Sequence, residues 1–304
     1  MTIPLQQLGY YKLTLAAEKD GQTIKSAEVS FARLSEDDPT MTDNSPFGIS
    51  THLARTNTGW SPELSTLLRR AGAKNFRDEI TWVDVETEKG QYRKPTNRDA
   101  FMRSTQKEGL KPLITLDFTN PFYDEDSTPY TDEGRQGFAN YGKGLLDLYG
   151  NQMEWVEVYN EFNGGFGSRG NGIAASRPDY YYKLLKKTYE TVKSARPDVT
   201  VVGMVTDASA LSWMEEVMKL GGLQYMDVVS VHPYNVTPDG MIKYLRDTQS
   251  LIRKYNHGQD KPLWSTEVGW PTIPGVDEKR KRIIWCVLMY YRLEPVSKKY
   301  SGMI

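Results

Sequence analysis

Two glutamates stand where carboxylate chemistry could be done. Glu161 closes the apolar run that leads through Val158, Tyr159 and Asn160, and Glu267 closes the run Trp264-Ser265-Thr266. Carboxyls about 5–5.5 Å apart can act as nucleophile and acid/base in retaining glycoside hydrolysis, whereas about 6.5–9.5 Å leaves room for the water that gives inversion. The sequence does not measure that gap. Either scheme needs one carboxyl protonated and the other ionised near neutral pH, so their surroundings must differ. A single strand-end glutamate reads more simply as the partner of a Lys or Arg. Two of them, one preceded by Asn160 and the other followed at short range by Gly269-Trp270, shift the reading towards a catalytic pair.

Other chemistries are less well supplied. The three histidines, His52, His232 and His257, show neither H-x-x-x-H nor H-E-x-x-H spacing, so no metal is expected. No strand is followed by a G-x-G-x-x-G or P-loop sequence, and no cofactor is expected either. Cys286, the only cysteine, lies in an apolar run and reads as a buried thiol. The acidic stretch 123–127 reads as a solvated turn rather than a calcium loop. Gly164 to Gly172 reads as the mobile rim of a cleft, and Lys279 to Arg282 as a solvated helix face. With 38 basic and 39 acidic side chains, the net charge of −1 does not advertise a nucleic acid or an anionic membrane. No apolar span is long enough to cross a bilayer, and no signal peptide is visible. Nineteen tyrosines and seven tryptophans, many beside Asn, Asp, Glu or His, suit sugar rings, although they also suit a large core.

The elements that must position these residues follow from periodicity. Residues 1–34 alternate around Glu18 to Gln22 and predict a β-hairpin, the remnant of a β-sandwich. A polar linker spans 35–46. From 47 to 304 short apolar strands alternate with amphipathic helices. Strands are predicted at 47–52, 75–82, 112–118, 154–160, 199–205, 226–232 and 262–267. Helices are predicted near 61–71, 97–108, 131–149, 178–195, 209–220, 238–256 and 277–293. Such alternation over some 250 residues predicts an α/β fold, a TIM (β/α)8-type barrel cut after its seventh β/α unit. An open barrel exposes edges, which predicts a second copy of the chain covering the gap.

In such barrels the chemistry sits at the C-terminal strand ends. There this sequence places His52, Arg77, Trp82, Phe118, Asn120, Asn160, Glu161, His232, Tyr234, Glu267 and Trp270. Val158-Tyr159-Asn160-Glu161-Phe162-Asn163 and Trp264-Ser265-Thr266-Glu267-Val268-Gly269-Trp270 resemble the strand-4 and strand-7 signatures of clan A glycoside hydrolases. The nearest resemblance is to family 39 and its relatives, among them β-xylosidases and exopolysaccharide-cleaving endoglycosidases. Matching stretches also occur at Phe47 to His52, Arg77 to Trp82, Lys89 to Tyr92 and Ser230 to Tyr234, so the resemblance covers about 47 to 293.

The resemblance implies that Glu161 is the acid/base and Glu267 the nucleophile of a retaining enzyme acting on a β-linked glycan. It implies that Asn160 bonds the substrate 2-hydroxyl, that Arg77 sits beside Glu267, and that Tyr234 or His232 touches one of the two glutamates. Trp270 would floor the subsite, with His52, Trp82, Phe118 and Asn120 also lining it. Similar enzymes are exported, which implies a secreted or periplasmic location. The alternative is a barrel fragment that binds glycan without turning it over. An aldolase-type barrel ranks last, because no strand end offers a lysine for a Schiff base.

Overall fold

The computed structural model describes residues 7–33, 48–53, 61–234 and 238–269. The predicted linker 35–46, the helix at 277–293, Cys286 and Trp270 lie outside the described residues. The chain divides into two compact units, Met1–Met41 and Thr42–Ile304.

The first unit is an antiparallel hairpin of β1 (Gly9–Lys19) and β2 (Gln22–Arg33). Its two-residue loop is Asp20-Gly21, both with positive φ, the conformation that matches the twist of paired strands. Tyr11 stacks on Phe31 across the strands, with ring centres 5.7 Å apart.

The second unit holds seven parallel strands, hydrogen-bonded in strict chain order: β3 (Gly48–Ser50), β4 (Asn75–Glu79), β5 (Lys111–Leu116), β6 (Trp155–Val158), β7 (Thr200–Asp207), β8 (Val228–His232) and β9 (Leu263–Ser265). Between them run α1 (Ser65–Arg70), the short α2 (Trp82–Val85), α3 (Thr96–Lys107), α4 (Asp132–Tyr149), α5 (Pro178–Ala195), α6 (Leu211–Lys219) and α7 (Pro238–Tyr255). This is the architecture of a TIM barrel. Local chemistry marks the helix starts. The Thr131 hydroxyl accepts from Gly134 N at the head of α4, and Pro178 opens α5, where a missing N–H costs nothing.

Several predicted strands run past the observed ones, as 47–52, 154–160 and 262–267 do, and one overrun changes the fold locally. The segment 75–82 is extended only to Glu79, and Trp82 already opens α2.

Two layers inside the barrel follow from the period of two along each strand. Leu113, Val202 and Val228 pack with Trp155 and Trp264 as a small apolar cluster, separate from the large core between sheet and helices. Two residues further along four of those strands stand Thr115, Glu157, Ser230 and Thr266. All are polar and fully buried. Burying such groups is costly unless they bond one another. They do: the Thr115 hydroxyl donates to Glu157 Oε2 (2.9 Å), and the Ser230 and Thr266 hydroxyls pair at 2.5 Å. Position 204 breaks the rule with Met204, where β7 bulges: the register slips between Met204 and Thr206, and Met204 and Val205 both take positive φ.

Candidate active site

The polar layer is organised around Arg77 on β4. Its guanidinium is fully buried. Nε donates to Glu157 Oε2 (2.6 Å), one terminal nitrogen to Asn160 Oδ1 (2.7 Å) and the other to Glu267 Oε2 (3.3 Å). Burial would lower the Arg77 pKa, but Glu157 and Glu267 outweigh it and push it up. Burial likewise favours neutral Glu157, yet Arg77, with help from His232, holds that carboxyl below its usual range. The cation and its deepest partner are therefore a fixed ion pair beneath the mouth. With Asn160 Oδ1 spent on Arg77, the amide NH2 is the end of Asn160 left for another partner.

Above this layer stand the two glutamates, both half-buried. Glu267 Oε1 accepts from the Tyr234 hydroxyl (2.9 Å), and its Oε2 faces Arg77 and, at 3.5 Å, His232 Nδ1. Tyr234 is pushed up by burial and by Glu267, so it stays a phenol and a donor. Glu161 has no arginine beside it among the described residues. Its Oε1 meets His232 Nδ1 at 2.9 Å, and the other ring nitrogen of the fully buried His232 meets the Thr266 hydroxyl at 3.0 Å. An oxygen of Glu161, one of Glu267 and a ring nitrogen of His232 all lie within 4.8 Å of one another. Three such donors could hold a metal ion. Here both nitrogens of His232 are already bonded, and Arg77 supplies the positive charge beside Glu267, so the set fits a hydrogen-bonded carboxyl pair better than a cation site.

The backbone holds Glu161 in an unusual pose. Tyr159 and Glu161 have φ of 65° and 46°, and Glu161 N donates to Val205 O (3.0 Å) at the bulge of β7. Val205 is β-branched with φ 48°, a conformation that such residues rarely take. Asn163 and Asp207 exchange two bonds, Nδ2 to Asp207 O (3.0 Å) and Asp207 N to Oδ1 (2.8 Å), tying the loops after β6 and β7. Asp207 is pushed up by burial and by Glu161.

The structure thus brings together Arg77, Asn160, Glu161, His232, Tyr234 and Glu267. It leaves Trp82, Asn120, Phe118 and His52 apart from that group, and Trp270 lies outside the described residues. Trp82 is fully buried, stacked between Tyr123 (4.9 Å) and Tyr141 (6.0 Å), with Nε1 donating to Glu86. It is a core residue, because α2 begins there and turns the ring away from the barrel axis. Asn120 is also fully buried: its Nδ2 donates to Glu86 O and its Oδ1 accepts from Phe122 N, which pins a loop. Neither can touch a sugar in this arrangement. Phe118 is half-buried against Phe166 and Tyr159. His52 is half-buried and bonds neither glutamate, its Nδ1 without a partner among the described residues. Two glycines of the stretch are packed, since a Cβ on Gly167 would lie 2.0 Å from Phe162 O and one on Gly170 2.2 Å from Ser127 Oγ, whereas Gly165 faces open space. The acidic turn at 123–127 is also structured, with Asp124 accepting from Tyr130 N and Thr131 N.

Glu157, Thr115, Ser230 and Thr266 went unmarked in the sequence. The available signal was Glu157 itself, a charge in step with Trp155 inside the otherwise apolar Trp155-Val156-Glu157-Val158.

The family model "Glycosyl hydrolase catalytic core" matches residues 133–292. No curated protein matches the sequence. Among solved structures, a family 39 glycoside hydrolase from the gut symbiont Bacteroides cellulosilyticus is 24% identical, with a TM-score of 0.78 over 98% of this chain and 64% of that one. A GH39 enzyme from Xanthomonas axonopodis is 18% identical, with a TM-score of 0.63 over 85% of this chain and 57% of that one. A GH39 β-xylosidase from Caulobacter crescentus is 19% identical, with a TM-score of 0.63 over 89% of this chain and 63% of that one. At these identities the likeness is one of fold, and the chain spans less than two thirds of each of the three enzymes.

Proposed function

The chain belongs to the glycosyl hydrolase catalytic core family, and from that premise we propose that it cleaves β-linked oligo- or polysaccharide with retention, by double displacement. Residues 47–304 do the catalytic work. Glu267 attacks the anomeric carbon as Glu161 delivers its proton to the leaving oxygen, so the glycosidic bond breaks and a glycosyl ester forms on Glu267. Glu161, now a carboxylate, takes a proton from water. The water oxygen displaces Glu267, and the sugar leaves with its original anomeric configuration.

The observation that carries this reading is the short gap between the glutamates in unlike surroundings. Oxygens within 4.8 Å sit nearer the spacing of retaining enzymes than the wider gap of inverting ones. Glu267 is held by Arg77 and the Tyr234 hydroxyl, and Glu161 by His232 instead. The Asn160 amide, oriented through its oxygen by Arg77, is placed to donate to the substrate 2-hydroxyl.

The test is hydrolysis of a panel of aryl β-glycosides, β-glucans, xylans and mannans, with product stereochemistry read by proton NMR. Hydrolysis with retention that Glu267→Ala abolishes supports the proposal. Inversion, or activity that survives the substitution, sinks it. Binding without hydrolysis by the folded parent chain would instead mark a glycan-binding barrel.

A further inference from the structure

The loop after β6 carries a cation without a counterion among the described residues. Arg169 is held by its backbone to Thr128: its N donates to Thr128 Oγ1 (3.1 Å), and Thr128 N donates to Arg169 O (3.2 Å). The guanidinium carbon lies 3.8 Å from the centre of the Phe118 ring and 4.9 Å from that of Phe166, two rings stacked 5.0 Å apart. Phe118 packs edge-on against Tyr159, and Asp117, next to Phe118, lies within the electrostatic reach of Arg169, so the guanidinium sits between the loop after β5 and the loop after β6 that carries Glu161.

Other described arginines at this end of the barrel or in its loops are tied to acids: Arg77 to Glu157, Arg98 to Asp84, Arg177 to Asp179. Arg169 makes no ion pair among the described residues, and its Nε is buried with no hydrogen-bond partner. The acid within its field is Asp117, whose two oxygens bond nothing. Burial, and then Glu79, push Asp117 well up towards its neutral form, against the pull of Arg77, Arg98 and Arg169. A neutral Asp117 leaves the charge of Arg169 standing. A guanidinium held against aromatic rings still offers its N–H fork, which can pair with a carboxylate through two bonds. A neutral sugar would offer only hydroxyl dipoles to that fork.

We infer that Arg169 is a specificity-determining residue, and that the glycan taken by this mouth carries a carboxylate, as a uronic acid ring does, on the leaving-group side of the scissile bond. The inference rests on the glycosidase reading for which side that is. Its test reads binding without turnover. A β-linked tetrasaccharide containing glucuronate is titrated by calorimetry into Glu267→Ala, alongside the same tetrasaccharide with its carboxylates reduced to primary alcohols. The acidic ligand should bind about tenfold or more tighter. Added salt should shrink that ratio. Arg169→Met in the same background should bring it to one, and Arg169→Lys, which keeps the charge but not the fork, should hold only part of it. Where Arg169→Met loosens the loop, both affinities fall together and the ratio still reports the charge. Equal affinities, including no measurable binding of either ligand, overturn the inference, as does a preference that Arg169→Met leaves in place. A parent chain that hydrolyses nothing would sink the glycosidase reading while leaving this ratio measurable.

Discussion

The two sides of the barrel mouth hold the same functional group in different company. On one side Glu267 leans on a buried arginine and a phenol; on the other Glu161 meets a histidine, with Asp207 in its field. The difference teaches how one fold can give two carboxyls unlike surroundings, which the proposed mechanism needs: the Glu267 side holds a buried guanidinium and a phenol, the Glu161 side an imidazole and a carboxyl.

The sharpest break in that comparison is Glu267→Ala, which should lower turnover by roughly 10⁴-fold or more on every substrate, because no neighbour can replace the nucleophile. Steady-state kinetics on an aryl glycoside, with circular dichroism as the check on folding, decides it. Glu161→Ala should break the other side differently. Turnover of natural linkages should fall by about 10²–10⁴-fold, while aryl glycosides with good leaving groups lose far less, since they need little protonation. Equal losses on both substrate types would erase the distinction between the two sides.

Arg77→Met tests the shared foundation. It strands Glu157 in the interior and should cost about 3–5 kcal/mol of stability, read as a fall in thermal midpoint. A second substitution, Glu157→Gln, should recover part of that loss by removing the stranded charge. Tyr234→Phe removes one donor from Glu267 and should lower kcat by about ten- to a hundredfold with little change in stability, as a hydrogen bond to a carboxylate of roughly 1.5–3 kcal/mol allows. The smallest effect concerns pH. Glu157 is held below the ordinary carboxyl value of 4.5, so its stabilising contribution is complete above that pH and is lost as pH falls through its lower folded value. Glu157→Gln should therefore flatten the acid limb of a plot of unfolding free energy against pH. An unchanged slope would mean that Arg77 does not act on Glu157 as described.

Much of the frame could be read from the residues, because the relevant signals are local. Alternating apolar runs and helical periods mark the seven strands, and Asp20-Gly21 marks the hairpin turn. Arg77, Asn160, Glu161, His232, Tyr234 and Glu267 stood out because each sits at or next to a strand end. The misreadings at Trp82 and Asn120 share one cause. A residue near a strand end can face the axis or the helices, and a single early turn such as α2 exchanges the two. Glu157 escaped notice for the opposite reason: it lies mid-strand, where a charge is unexpected until its arginine arrives from a strand about 80 residues away in sequence. The bulge at Met204 and Val205 had no signal either, since neither residue favours positive φ, and only the neighbouring strand explains the pose.

The apolar cluster of Leu113, Val202 and Val228 with Trp155 and Trp264 has a consequence for proton traffic. It lies one step down the strands from Thr115, Glu157, Ser230 and Thr266, so the bonds from Glu161 through His232 to Thr266 rest on hydrocarbon, while Thr266 and Arg77 both lead on to Glu157. Among the described residues the polar network therefore loops from one glutamate to the other above that floor, and on the proposed reading the two carboxyls exchange protons with solvent on the mouth side.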